Sequence, residues 1–157
     1  MEVRELADSE RQWAVERLVG SWGSVYVARL GELKDTSVLP TLVAVLDDEL
    51  VGLLTYEVVG DQAEVVSIDA FVPLAGVGTA LLHAAVERAR SLGCTRVWLI
   101  TTNDNLPALR FYQRRGMRIV AVHRDAENAA RRLKPSIPVV GHHGIEIHDE
   151  LELELRL

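Results

Sequence analysis

The chain has one cysteine, Cys94, so no disulfide can close within it. That excludes a disulfide-stapled scaffold and fits a reducing compartment. No stretch approaches the ~18 apolar residues of a membrane-spanning helix. The start, Met1-Glu2-Val3-Arg4-Glu5, lacks the apolar run of a signal peptide. Both absences lead us to expect a cytoplasmic protein with no membrane partner. Basic charge is not in excess either. The formal net charge is -6, which gives little long-range pull on nucleic acid or anionic lipid. An acidic chain favours a cationic amine, although -6 is also an ordinary solubility charge. Repeats, low-complexity tracts and linkers are lacking, and 157 residues suffice for one domain spanning 1–157.

What is present is a series of periodic segments. Residues 8–20 read as a helix capped by Asp8 or Ser9. Residues 25–30 fit strand or helix. Leu42–Leu46 and Leu50–Val58 flank the acidic turn Asp47-Asp48-Glu49 and read as a hairpin. After the turn Gly60-Asp61, Ala63–Val72 is the third strand of the meander. From residue 76 the period becomes helical, with Leu81, Ala85, Ala89 and Leu92 on one face and Gly93 as the stop. Arg96–Thr102 carries apolar residues on both faces, as a covered central strand does. Asn105 caps the next helix, Pro107 fits its first turn, and Gly116 closes it. Met117–His123 is a strand and Arg124–Leu133 a short charged helix. Pro135 and Pro138 mark a loop. Ile145–Leu157 ends in alternation of Leu151, Leu153, Leu155 and Leu157 with Glu152, Glu154 and Arg156, an antiparallel strand with one buried face. It can pair within the chain or across a homodimer. The order predicts a mixed α/β (α+β) layer fold.

Two segments carry chemistry. Gly76-Val77-Gly78-Thr79-Ala80 lies where a strand becomes a helix. Its glycines allow a tight turn and leave the amides uncovered. With the positive end of the helix dipole they form a site suited to a pyrophosphate. A plain tight turn explains the same residues. A P-loop is excluded because Gly-Lys-Ser/Thr is absent. A dinucleotide fingerprint is disfavoured by Leu81 and by Thr101-Thr102 where an acid is needed. In the second segment Asn105, Ala108 and Tyr112 stand at i, i+3 and i+7 and share one helix face. An amide, a small residue and a phenol in a row could line a channel for an extended ligand. A capping Asn and a partly buried Tyr are the plainer reading.

Together the two segments resemble the GNAT superfamily of acyl-CoA N-acyltransferases. The strand–Gly76-Val77-Gly78–helix unit is similar to its pyrophosphate motif. The Asn105…Ala108…Phe111-Tyr112…Gly116 unit is similar to its following motif. One departure is Pro73, where the family usually has Gln or Arg. The resemblance covers roughly residues 40–123, and it implies a mostly antiparallel twisted sheet flanked by helices and splayed between strands 63–72 and 96–102. It implies acetyl-CoA as co-substrate, with no metal, and a primary amine of a small molecule or peptide as acceptor. The amine attacks the thioester directly, and proximity supplies much of the acceleration. The backbone around Ile68–Ala70 would bond the pantetheine arm and polarise the thioester carbonyl. Gly76, Val77, Gly78, Thr79 and Ala80 would hold the pyrophosphate, with Asn105, Ala108 and Tyr112 along the arm. Tyr112 would protonate the leaving thiolate. Glu64 is the first candidate for general base and Asp69 the second. Strict alternation puts these two on opposite faces unless a bulge intervenes. A non-catalytic acyl-CoA sensor on the same scaffold is the alternative.

Weaker signals remain. Segments Trp22-Gly23-Ser24, Thr101–Asn105, Ala130–Pro138 and Asp149–Leu153 resemble one bacterial subgroup of that family. His142, His143, His148 and Asp149 match no metal-ligand spacing and read as a polar loop. Cys94 reads as a small, partly buried residue. Trp13, Trp22 and Trp98 read as packing residues, with Trp22 a candidate border of the substrate pocket. Arg124, Arg131, Arg132 and Lys134 form a basic patch that either reaches the CoA 3′-phosphate or solvates a helix.

Overall fold

A computed structural model of the chain describes residues 1–73 and 75–157. In chain order these residues form β1 (Glu2–Glu5), α1 (Arg11–Trp22), β2 (Tyr26–Arg29), β3 (Glu32–Asp35), β4 (Thr41–Leu46), β5 (Glu49–Val59) and β6 (Gln62–Ala70). There follow α2 (Val77–Ser91), β7 (Arg96–Thr102), α3 (Leu106–Arg114), β8 (Arg118–His123), α4 (Ala126–Leu133) and β9 (Glu150–Arg156). Seven strands make one sheet in the order β1-β4-β5-β6-β7-β9-β8, and β2 and β3 form a separate hairpin. Among the described residues, only β6 and β7 pair in parallel within the sheet, joined across α2 as a parallel pair requires. This is the mixed, mostly antiparallel sheet with flanking helices that the sequence implies.

Several local expectations change. Helical structure begins at Asp8, as expected, in a short 3-10 turn that becomes α1 at Arg11, but neither Asp8 nor Ser9 caps it. The Glu10 carboxylate folds back instead. It accepts the Ala7 N–H and both terminal nitrogens of Arg4, each at 2.8 Å. Residues 25–30 resolve as strand β2. Its partner β3 was not anticipated, because Glu32–Asp35 has one apolar residue and no alternation. Strand β1 was missed for the same reason. The C-terminal strand starts at Glu150 rather than Ile145, and it is not an edge. It pairs with β7 on one side and β8 on the other, so both its edges are satisfied within the chain. The alternating leucines therefore serve an internal strand, and pairing of β9 across a dimer has no free edge to use.

Two apolar clusters sandwich the sheet. Leu42, Ala44, Leu54, Ala63 and Val65 pack on Leu81, Leu82 and Ala85 of α2. Val43 and Leu53 pack on Ala14 and Leu18 of α1, with Trp13 and Phe71 at the margin. Alternation along β6 is broken once. Thr55 lies opposite Ser67 and Tyr56 opposite Val65, so Val66 is an extra residue, a bulge. Ala63 and Val65 face α2 before the bulge and Ile68 does so after it, while Phe71 joins the α1 cluster. The bulge therefore brings Glu64 and Asp69 to the same α1-side face. Strict alternation separates them, and the structure corrects that expectation.

Candidate active site

The site is a wedge between two strands. β6 and β7 pair only at Gln62–Arg96, Ala63–Val97 and Glu64–Trp98, then diverge. A bulged strand bends, and the bend at Val66 falls where pairing is lost. The Phe71 N–H donates to Val51 O at 2.8 Å. By antiparallel alternation the Asp69 and Ser67 amides also turn toward β5, leaving those of Ile68 and Ala70 facing the wedge. A cavity of about 400 Å³ fills the wedge. Residues 65–69 of β6, 99–101 of β7 and Asn105, Ala108 and Tyr112 line it.

The N-terminus of α2 follows the end of β6. Gly76 precedes the first turn in the left-handed region at φ 72°, which glycine adopts without strain. The Ala80 N–H closes the turn on Gly76 O at 3.0 Å. The amides of Val77, Gly78 and Thr79 come before that closure and have no partner within the helix. A side chain at position 78 would meet the Phe111 ring at 3.1 Å, so glycine lets α3 pack close to this turn. Arg115 lies over the Phe111 ring, 3.7 Å from its centroid, and donates to Thr79 Oγ1 at 2.8 Å. Its cationic side chain is thus anchored to the first turn of α2, a role the sequence reading did not assign.

The α3 face behaves as its spacing implies. Asn105 Oδ1 accepts the Ala108 N–H at 3.2 Å, so the residue caps the helix and also lines the wedge. Tyr112 is buried, and burial together with the negative charge of Asp69 pushes its phenol well above the ordinary tyrosine range. It stays protonated and able to donate.

The two carboxylates differ in their partners. Glu64 is buried, and the Arg29 guanidinium holds both its oxygens, Nε at 2.8 Å on one and Nη2 on the other. Burial raises the Glu64 carboxyl against this pull. Asp69 accepts the Trp22 indole N–H at 2.9 Å. Burial raises its carboxyl too, opposed by the bonds from Trp22 and Ser21. Trp22 thus borders the pocket, as its position beside Gly23 suggested.

A second cavity, of about 410 Å³, adjoins the first and shares Trp22, Val65, Val66, Ile100 and Asn105 with it. Arg29, Glu64, Glu127, Lys134 and Glu150 line its outer walls. His142 lies on both cavities, read from sequence as polar loop. Its backbone N–H and Nδ1 lie 2.9 and 3.0 Å from Oδ2 of the buried Asp104. The signal for this pair was weak, because the partners are 38 residues apart. Two of the four basic residues are engaged by backbone carbonyls. Lys134 Nζ donates to Trp22 O at the end of α1 and Tyr26 O at the start of β2, and Arg131 donates to Pro138 O and Ile147 O. Among the described residues no three His, Cys, Asp or Glu side chains converge as a metal would need. Cys94 is buried.

The family model described as "Acetyltransferase (GNAT) family" matches residues 7–117. The uncharacterised protein YdhI of Bacillus subtilis (strain 168) is 47% identical over 103 residues. That match takes in 66% of this chain and spans 64% of the length of YdhI. A Bacillus subtilis acetyltransferase solved in complex with CoA superposes with a TM-score of 0.68 at 22% identity, over 99% of this chain and 97% of that one. A GNAT family acetyltransferase from Elizabethkingia anophelis, solved with acetyl-CoA bound, gives 0.70 at 16% identity, again over 99% and 97%. The family match runs from α1 across the splayed pair to the end of the Tyr112 helix, and by it this chain belongs to the acetyltransferase (GNAT) family.

Proposed function

We propose that residues 1–157 act as one acetyl-CoA-dependent N-acetyltransferase domain. It would transfer the acetyl group to a primary amine of a small molecule or peptide by direct attack. The observation that carries this reading is the wedge itself: free strand amides on one wall and a phenol on the other, with a glycine-led helix N-terminus following β6. Structural neighbours were solved with CoA or acetyl-CoA, which supports the same reading.

Acetyl-CoA would supply an activated thioester, and the chain's residues would hold and polarise it. The amides of Val77, Gly78 and Thr79, with the turn closed by Gly76 and Ala80, suit a pyrophosphate. The cationic Arg115 beside Thr79 offsets the missing Gln or Arg at Pro73. Ile68 and Ala70 would bond the pantetheine arm as a strand would, and one of these amides would polarise the thioester carbonyl. Asn105 and Ala108 leave room along the arm. Tyr112 donates its O–H to the departing sulfur.

An ammonium is not a nucleophile, so a base must first take its proton. Both carboxylates share the α1-side face. Glu64 has each oxygen on Arg29, whereas Asp69 is held by neutral donors. We assign Asp69 as the base and Glu64, through its pair with Arg29, as a wall of the acceptor pocket. The test is thiol release from acetyl-CoA with a panel of amines. Turnover in the wild type, strongly reduced in Tyr112→Phe and abolished in Asp69→Asn, supports the reading. CoA binding without turnover on any amine would convert the domain to a sensor, and absence of CoA binding would defeat both.

A further inference from the structure

The second cavity has an acidic end that the transfer chemistry does not use. Glu127 comes from the first turn of α4 and Glu150 from the start of β9, and both line the cavity. They are 3% and 1% exposed. Glu150 disfavours the charge of Glu127, and among the described residues no cation bonds to either. Glu150 Oε1 takes the Leu30 N–H at 2.9 Å. Glu127 Oε2 is buried with no hydrogen-bond partner among the described residues. A polar atom in that position is normally satisfied.

The neighbouring cations are committed elsewhere. Arg29 is on Glu64, Lys134 on the Trp22 and Tyr26 carbonyls, and Arg131 on the Pro138 and Ile147 carbonyls. Asp104, a further acid on this wall, is occupied by Thr102 and His142. What the end lacks is a group made only of donors. An ammonium is such a group, with three N–H bonds to give and nothing to accept.

Resting on the transferase reading, we propose that Glu127 and Glu150 bind a second cationic centre of the acceptor. The substrate class is then aliphatic diamines and longer compounds with two basic nitrogens. One nitrogen is anchored at the acid pair while the other is acetylated at the wedge. Consistent with this, burial and the nearby Glu150 raise the Glu127 carboxyl to about 7, so without ligand Glu127 holds a proton further toward neutral pH, and a bound cation would replace it.

The test compares 1,6-diaminohexane with 1-aminohexane by titration calorimetry at fixed ionic strength, with and without saturating CoA. The expected result is about tenfold tighter binding of the diamine, the scale of one charge-assisted hydrogen bond. That preference falls to parity in Glu127→Gln and Glu150→Gln, with thermal melts verifying that each variant folds. Equal affinity for the two amines in the wild type, no binding of either, or a preference that survives in both variants overturns the proposal. The wild-type comparison stands even where a variant fails to fold. Thiol release is followed in parallel. Turnover with equal binding sinks the diamine anchor and leaves the transferase. Diamine-selective binding lost in the variants, without turnover, supports the anchor and sinks the transferase.

Discussion

The indole N–H of Trp22, in the last turn of α1, donates to Asp69 Oδ2 of β6 at 2.9 Å across the edge of the wedge. This bond favours the ionised carboxylate and opposes the rise that burial imposes. Trp22→Phe keeps the ring and removes the donor. The acid limb of kcat/KM against pH then moves to higher pH, because the base needs a higher pH to ionise. An unmoved limb would show that Asp69 is not the titrating base.

Tyr112→Phe removes the donor to the leaving sulfur and leaves the packing with Phe111 in place. We expect kcat to fall about a hundredfold, the low end of general-acid effects, with little change in KM for acetyl-CoA. Because the phenol is pushed above its ordinary range, the wild type shows no alkaline loss of activity from tyrosine ionisation up to about pH 10. Steady-state kinetics across pH checks both points.

Arg29 and Glu64 are a buried ion pair joining the β2–β3 hairpin to the sheet. Arg29→Ala leaves the Glu64 charge buried and uncompensated, at a cost of about 3–5 kcal/mol in urea unfolding. The double variant Arg29→Met, Glu64→Leu removes both charges and should regain most of that loss.

Gly141 is retained for space. A Cβ there would overlap the Asp104 carboxylate and approach Ile147 Cδ1 at 2.7 Å. Gly141→Ala should cost about 1–3 kcal/mol by overpacking. It should also release His142 from Asp104, visible as a change in the His142 ring chemical shifts by NMR.

Glu127 gives stability a sign that is unusual for a carboxylate. Its folded pKa of about 7 lies above the ordinary glutamate value of 4.5. The native state therefore holds the proton more tightly, and its contribution is complete below about pH 4.5 and lost as pH rises toward 7. Glu150 and Asp104 add to the rise, and Arg131 opposes it. Chemical unfolding of the wild type from pH 4.5 to 8 should show this decline, and Glu127→Gln should flatten it.

Much of the frame was legible along the chain because it depends on local period. The α2 and α3 helices, the Gly76–Gly78 entry and the Asn105 cap all arise from residues within a few positions of one another. The three-residue face of Asn105, Ala108 and Tyr112 survives as the lining of a cavity, since helix geometry alone places it. Strands β1 and β3 were illegible because four mostly polar residues carry no alternation, and only their partners β4 and β2 define them.

The sequence by itself determined the helix that presents the phenol and the turn that suits a phosphate, because backbone propensity and side-chain spacing act over short range. Tertiary structure alone decided which side chains meet. The bulge at Val66 turned Glu64 and Asp69 to one face, and Arg29, 35 residues from Glu64, then claimed that carboxylate. Glu127 was brought to Glu150, and Asp104 to His142, by the insertion of β9 beside β7 and by the loop that precedes it. These are pairings across long stretches of chain. Their electrostatics depend on burial, which no single segment carries.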